Sequence, residues 1–366
     1  MTFPRATIDG AALRHNLGVV RKTAPGSRVL AVVKANAYGH GLTATARALA
    51  SADAFGVARL AEGLALRAAG ITNRIVLLEG VFSADELQQA AQAGLELVVH
   101  TFEQLSMLEA AGAAARFEVW MKIDTGMNRL GFRIDDFAAA WSRVQRCKSV
   151  TRLRVMTHLA AAEDRESETP QQLARFDKLT TGLHVERSVA NSAGLVTWPE
   201  ARVDWVRPGL MLYGISPVPD LDAEQLDLRA AMTLTTQLIA VRRVSRGEGV
   251  GYNSMWRAAE DSIVGIAAIG YGDGYPRNSR SGAPVLVNGV ETTVVGRVSM
   301  DMTAVDITHL PEARIGDEVI LWGKGLGADR VAPYAGTIPY ELICGISQRV
   351  AVEWKNGEPS PSGRER

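Results

Sequence analysis

Cysteine is scarce in this chain of 366 residues: Cys147 and Cys344 are the two present, far apart and without a CxxC spacing. This argues against a disulfide framework, a redox pair or a thiolate metal site. Two reduced, mostly buried thiols are the expectation. Six histidines are scattered with no HxxxH or HExxH pair, so no protein-bound catalytic metal is expected. Neither sign of charge is in excess: forty basic residues balance forty acidic ones, with no Lys/Arg-rich run. Nothing therefore draws the chain to nucleic acid or to an anionic membrane. No apolar stretch approaches the roughly 20 residues of a membrane helix. The opening MTFPRATIDGAALRHN lacks the apolar core of a secretory signal, and a cytoplasmic location is expected.

What is present is ordinary globular material, 47% hydrophobic and 22% charged, in a chain longer than one core usually serves. Two domains are expected. From about Arg28 to Gly214 short apolar runs alternate with amphipathic stretches of helical spacing. The runs are VLAVVK ending at Lys34, FGVAR at Arg59, IVLLEG at Gly80, LELVVH at His100, FEVWMKID at Asp124, LRVMTHL at Leu159, RSVAN at Asn191 and WVRPGLMLYG at Gly214. SADELQQAAQAG and TFEQLSMLEAAG between them open on N-capping Ser or Thr and stop at Gly. Eight such units are the count of a (β/α)8 barrel. A doubly wound sheet would show fewer strands, and its GxGxxG fingerprint after the first strand is missing.

Near Asp227 the pattern changes to closely spaced strands: MTLTTQLIAVRRV, SIVGIAAIG, PVLVNGVETTVVGRVSM, TAVDI, EVILWG and QRVAVEW. Asn288-Gly289 marks a hairpin, and one helical stretch, around IPYELICGI, interrupts the strands. The division expected is a barrel over residues 10–226, a mainly β domain over 227–355, and a disordered polar tail, 356–366.

Active sites of such barrels lie where the strands end. Strand ends carry Lys34, His158, Asn191 with Ser192, and Arg207, with Lys122 and Arg129 close behind the fifth strand. A lysine that ends an apolar run either snorkels to solvent or is a desolvated amine of lowered pKa, able to form a Schiff base. A hydroxyl and backbone N–H groups opening a helix, as at Ser192, suit an anion.

AVVKANAYGHG, KIDTGMNRLGF, MTHLA, ANSAG, WVRPGLMLYG, GVGYNSMW, IGYGDGYPR, VGRVSMDM and IPYE follow one another in an order that resembles the alanine racemase family over nearly the whole chain. The resemblance implies a pyridoxal 5'-phosphate enzyme in which Lys34 holds the cofactor. Tyr38, Ser192 and the backbone around Gly209 and Leu210 would serve the phosphate, and Tyr340 would reach the phosphate or the substrate entrance. Arg129 would bond the phenolic oxygen and orient the substrate carboxylate, and Lys122 would be carbamylated and fix Arg129. His158 and Asn191 would lie near the cofactor, and Arg207 would face the pyridine nitrogen. Arginine cannot accept a proton, so the ring stays a weaker electron sink than one beside a carboxylate. That disfavours a long-lived carbanion and its side reactions, which suits a racemase.

The resemblance also implies two bases, Lys34 on the D face and Tyr252 on the L face, with Tyr252 linked through His158 to Arg207. Tyr271, Met300 and Asp301 would line the substrate side. Such enzymes are homodimers in which Tyr252 serves the partner's site, and the N-terminal strand, within residues 1–9, joins the β domain. The substrate implied is alanine, in D-alanine supply for peptidoglycan or in its consumption. Serine or basic amino-acid racemisation differs by little pocket free energy. A barrel-type decarboxylase would need a GGG loop, which is absent, and a non-catalytic cofactor carrier would lack the β domain.

Overall fold

The structure, a computed structural model, describes residues 3–357; the rest of the tail expected to be disordered lies outside the described residues. Eight parallel strands close into a barrel: β2 (Arg28–Val32), β3 (Ala54–Val57), β4 (Arg74–Leu77), β5 (Glu96–Val99), β6 (Phe117–Lys122), β7 (Val150–Met156), β8 (Glu186–Ser188) and β9 (Trp205–Val206), with β9 pairing back on β2. Their continuous apolar runs are those of strands buried on both faces. Ser83 and Thr101 cap the helices Ala84–Gln92 and Phe102–Ala111, accepting from Glu86 N and Gln104 N.

Before the barrel comes β1 (Arg5–Asp9), which lies in the second domain, antiparallel to β10 (Met232–Val244) and parallel to β18 (Ala351–Lys355). Asp9 then caps the helix Gly10–Thr23, accepting from Ala11 N at 2.9 Å. From that helix the buried Asn16 donates to Leu212 O and Arg229 O and accepts from Arg229 N. Its amide thereby fixes the passage from barrel to β domain.

The remaining strands are β11 (Gly249–Val250), β12 (Trp256–Arg257), β13 (Ser262–Ala267), β14 (Pro284–Val287), β15 (Val290–Thr293), β16 (Thr303–Asp306) and β17 (Glu318–Trp322). Eight strands form one sheet, ordered β15-β14-β17-β10-β1-β18, with β13 and β16 branching from β10. The long β10 serves β1 and β17 along its first half and β13 beyond the irregularity at Leu238/Ala240. Asn288 and Gly289 turn β14 into β15 with positive φ values, 50° and 80°. A second short helix, Ala328–Val331, precedes the expected one, Pro339–Cys344. Of the two thiols, Cys147 is buried, whereas Cys344 is exposed, contrary to the expectation for both: its short helix buries Leu342 and Ile343 against the turn after β2 and leaves Cys344 open on the Lys34 side. Among the described residues no helix is long and apolar enough to cross a membrane.

The N-terminal ends of the barrel strands are filled by charge. Arg154, fully buried, contacts Glu186 (2.5 Å), Glu118 (2.8 Å) and Glu96 (3.5 Å). Arg74 bridges Glu96 and Glu118, and Arg28 meets Glu186. Trp120 and Trp205 pack edge-to-face beneath Arg154. Burial alone would raise Glu186, but hydrogen bonds from Arg154, Arg28 and Trp205 hold it down, at about 2.

Candidate active site

At the opposite rim, Lys34 follows β2 and opens an unusual turn. Ala35, Asn36, Ala37 and Tyr38 all have φ near +53°, a left-handed conformation that costs non-glycine residues roughly 1–2 kcal/mol each. Local hydrogen bonds determine it: Gly39 N–H donates to Ala35 O, Gly41 N–H to Asn36 O, and Leu42 N–H to the Asn36 side chain. Glu62 accepts from Ala35 N–H at 2.7 Å. The wholly buried His40 donates from Nδ1 to Tyr38 O, and burial lowers its pKa to about 4. The His40 ring packs on Tyr213, and Tyr213 stacks on Tyr38 at 4.7 Å. Strain at this turn thus aims Lys34 and Tyr38.

Lys122, the last residue of β6, is buried beside Lys34, Arg129 and Arg207. Burial, then the charges of those three cations, push its pKa down to about 8. Lys34 is lowered too, by burial and then by Arg129, with Glu79 and Glu62 opposing. Arg129 sits on the loop after β6, whose Asp124 carboxylate accepts from Gly126 N–H and Asn128 N–H.

Arg207, past the end of β9, is 4% exposed and donates to Ser188 Oγ (2.6 Å), Thr157 O (2.5 Å) and Val189 O (3.1 Å). Desolvation lowers it to about 10, so it remains charged at neutral pH. Its Nη2 also lies 3.5 Å from His158 Nδ1. An arginine offers no acceptor, so Nδ1 is the acceptor there and the imidazole proton belongs on Nε2. Burial and then the surrounding cations, Arg207 first, hold His158 well below its usual pKa, and it stays neutral.

A second cluster adjoins the first. Ser192 opens the helix Ser192–Thr197, and its Oγ accepts from Gly209 N–H (2.9 Å) and Met211 N–H (3.3 Å). A Cβ placed on Gly209 would stand 2.5 Å from the Tyr38 hydroxyl, so only glycine lets the phenol reach this backbone. Leu210 begins the 3-10 turn that follows, and the Tyr340 ring lies 5.9 Å from that of Tyr38. Asn191 is the helix N-cap, its side-chain oxygen accepting from Gly194 N–H at 2.8 Å.

The structure therefore brings together Lys34, Lys122, Arg129, His158 and Arg207, and beside them Tyr38, Ser192, Gly209, Leu210 and Tyr340. The others stand apart on the β domain. Tyr252 is 66% exposed on a turn between β11 and β12, and among the described residues no hydrogen bond joins it to Lys34 or His158. Tyr271, Met300 and Asp301 lie on adjoining turns of that domain, with Tyr271 N–H donating to Ser299 O. Sequence reasoning did not single out Tyr213, Glu62, Thr157 or Ser188. Glu62 accepts from Arg59 N–H at the start of its helix, but with arginine at the N-cap there is no Ser/Thr-x-x-Glu pattern to read, and all four gain meaning only through packing.

A barrel rim of buried amines and guanidinium groups, beside a hydroxyl-and-amide cradle and followed by a β domain, defines a class. It is that of barrel enzymes working through a lysine amine next to a bound anion. Comparison with known proteins makes this specific. Residues 8–217 match the model of the alanine racemase N-terminal domain, and residues 231–354 that of the C-terminal domain. An alanine racemase of Aeromonas hydrophila is 51% identical over 351 residues, 95% of this chain and 98% of that protein. The structure of the biosynthetic alanine racemase from Pseudomonas aeruginosa superposes with a TM-score of 0.94 at 45% identity, covering 97% of this chain and 100% of that one. That of Bartonella henselae, described with covalently bound pyridoxal phosphate, gives 0.87 at 29% identity, covering 97% and 100%. The chain belongs to the alanine racemase family.

Proposed function

We propose that the chain interconverts L-alanine and D-alanine with pyridoxal 5'-phosphate held at Lys34, in a homodimer whose sites are completed by Tyr252 of the partner. The observation that carries this reading is the excess of buried positive charge around Lys34 and Lys122, next to the Ser192–Gly209 cradle. Burial first and the neighbouring cations second lower both lysines, and the nearby carboxylates Glu79, Glu62 and Asp124 oppose this without reversing it. An anionic cofactor fits it. Ser192, Tyr38, Tyr340 and the backbone at Gly209 and Leu210 would hold the phosphate, Arg129 the phenolic oxygen, and Arg207 the ring nitrogen, with Asn191 and His158 flanking.

When bound, the cofactor draws electron density from the α-carbon and acidifies its proton. The residues then supply the proton transfers. Lys34 Nζ, lowered toward neutrality, takes or returns the proton on the D face, and Tyr252 Oη does so on the L face. An ordinary tyrosine, near pKa 10, is a weak base at neutral pH. The neutral His158, its Nδ1 accepting from Arg207, has its Nε2–H free to donate to the Tyr252 oxygen and so favours the deprotonated phenol. Arg207 has only donors and passes no proton onward. Arg129, backed by Lys122, orients the substrate carboxylate, while Tyr271, Met300 and Asp301 close the far wall. We take 10–226 and 227–355 as the two units, a division supported by the change from parallel to antiparallel pairing across it.

The test is incubation of the protein and cofactor with L-alanine, L-serine, L-lysine and L-arginine in D₂O, followed by chiral chromatography. D-alanine carrying α-deuterium is expected to dominate. Mainly D-serine, D-lysine or D-arginine would overturn the substrate, and no α-deuterium at all would overturn the chemistry. In a Tyr252→Phe variant, L-to-D turnover is expected to fall at least 100-fold while cofactor absorbance persists; near-normal turnover would remove Tyr252 from its role.

A further inference from the structure

We infer that Arg349 is a positioning residue for substrate selection: it joins the Tyr271 loop to the Met300–Asp301 turn as one rigid wall, and the rigidity of that wall sets the preference for a small side chain. The inference rests on the alanine racemase reading above. Neither segment is a β-strand, so no sheet ladder fixes their register, and unsupported turns of this kind are the mobile parts of a fold. Yet they meet backbone to backbone. Tyr271 N–H donates to Ser299 O at 3.0 Å and Gly272 N–H to Met300 O at 2.8 Å. At Gly270 an added Cβ would stand 2.2 Å from Ser299 O, so there is no space between the two turns.

Asp273 ends the Tyr271 turn and is 2% exposed. One carboxylate oxygen accepts from Gly270 N–H at 2.9 Å. The other has no hydrogen bond, and its ion contact is Arg349 Nε at 3.3 Å. The adjacent nitrogen of the same guanidinium, Nη2, donates to Asp301 Oδ1 at 2.7 Å. Ser347 N–H, two residues earlier, donates to Asp273 O at 3.1 Å. An exposed ion pair such as Arg349–Asp301 contributes little by itself. A buried carboxylate without its cation is costly, and this holds Nε at Asp273 and so presents Nη2 to Asp301. Arg349 follows closely on the helix Pro339–Cys344 that carries Tyr340, so the clamp also ties the two turns to the stretch that reaches the barrel rim. A lysine, with one ammonium head instead of a rigid fork, cannot span both carboxylates in the same way.

Arg349→Met and Arg349→Lys holoenzymes, assayed with L-alanine and L-serine in the dimeric state, test this. With Arg349→Met, KM for L-alanine is expected to rise about tenfold with kcat within about threefold, the pattern of lost binding order rather than lost chemistry. The alanine-over-serine ratio of kcat/KM is expected to fall about fivefold, within the range one pocket contact can govern. Arg349→Lys should fall between. Loss of kcat for both substrates in proportion to loss of dimer would indicate a merely structural role and overturn the inference. Where Arg349→Met does not fold, Arg349→Lys decides, since it keeps a cation beside Asp273; an unchanged alanine-to-serine ratio would overturn the proposal. Failure of the underlying reading is distinguishable, because it appears in the unsubstituted protein as absence of alanine racemisation.

Discussion

Lys122 shows how one residue's chemistry follows from where a strand ends. Its amine is carried by β6 into a group of cations, and burial and those charges bring its pKa to about 8. At pH 8 about half of such amines are unprotonated, against well under one per cent for an ordinary lysine near 10.5. Such a free amine can attack CO₂ with loss of a proton, and a carbamate formed there would place a negative charge among these cations. We expect a carbamate carbonyl resonance when the protein is equilibrated with ¹³C-bicarbonate at pH 8, and its absence in Lys122→Gln. The sign follows from the lowered pKa: carbamate is favoured as pH rises through 8 and lost as pH falls below it. A spectrum unchanged by the substitution would exclude this residue as the carbamylation site. The spacing KxDTG identified the lysine, but the cations around it come from Arg207 and Lys34, respectively 85 residues ahead and 88 behind in the numbering, so only the closed barrel reveals why its amine is free.

At the scale of elements, the ring of charge beneath the barrel predicts where stability resides. Removing Arg154 leaves Glu96, Glu118 and Glu186 with only Arg74, Arg28 and Arg152 to balance them, and Arg154→Met is expected to cost about 3 kcal/mol, a fall of roughly 4 °C in thermal midpoint. A midpoint within 2 °C of the unsubstituted protein would contradict it, on a scale of about 1–2 °C per kcal/mol for a protein of this size. Glu186, held near 2 against an unperturbed value near 4.5, contributes stability that is complete above the unperturbed value and is lost as pH falls toward 2. None of this was legible in the sequence, because Arg28, Arg74, Glu96, Glu118, Arg154 and Glu186 belong to six different strands and meet only on closure. The strands themselves were legible as apolar runs, with an instructive overshoot. WVRPGLMLYG reads as a single run, yet only Trp205–Val206 is strand. Pro208 removes a donor, and Leu210–Tyr213 turns instead into the 3-10 segment behind the anion cradle. The left-handed turn at Ala35–Tyr38 was equally hidden, since alanine, asparagine and tyrosine have no intrinsic reason to adopt it in series. The short helix Ala328–Val331 lies between Gly-rich and Pro-containing segments that read as turns.

At the scale of the whole molecule, the two bases of the proposed chemistry stand on different surfaces of one chain. The barrel supplies Lys34, His158 and Arg207, whereas Tyr252, Met255 and Met300 stand more than half exposed on the β domain, a character expected of residues that a second surface covers. If Tyr252 serves the partner's Lys34, activity must be recoverable from two inactive proteins. A Lys34→Ala chain paired with a Tyr252→Phe chain forms a dimer in which one site carries both substitutions and the other carries neither. Random exchange makes about half of the dimers mixed in this way, each with one of its two sites intact, so recovery of about one quarter of the unsubstituted activity is expected from the two-fold symmetry. The same mixture gives no recovery if Tyr252 acts within its own chain, because each chain would then carry its own defect into its own site. The outcome is read by mixing the two variants under conditions that exchange subunits and assaying racemisation against either variant alone, with the dimer mass checked by analytical ultracentrifugation.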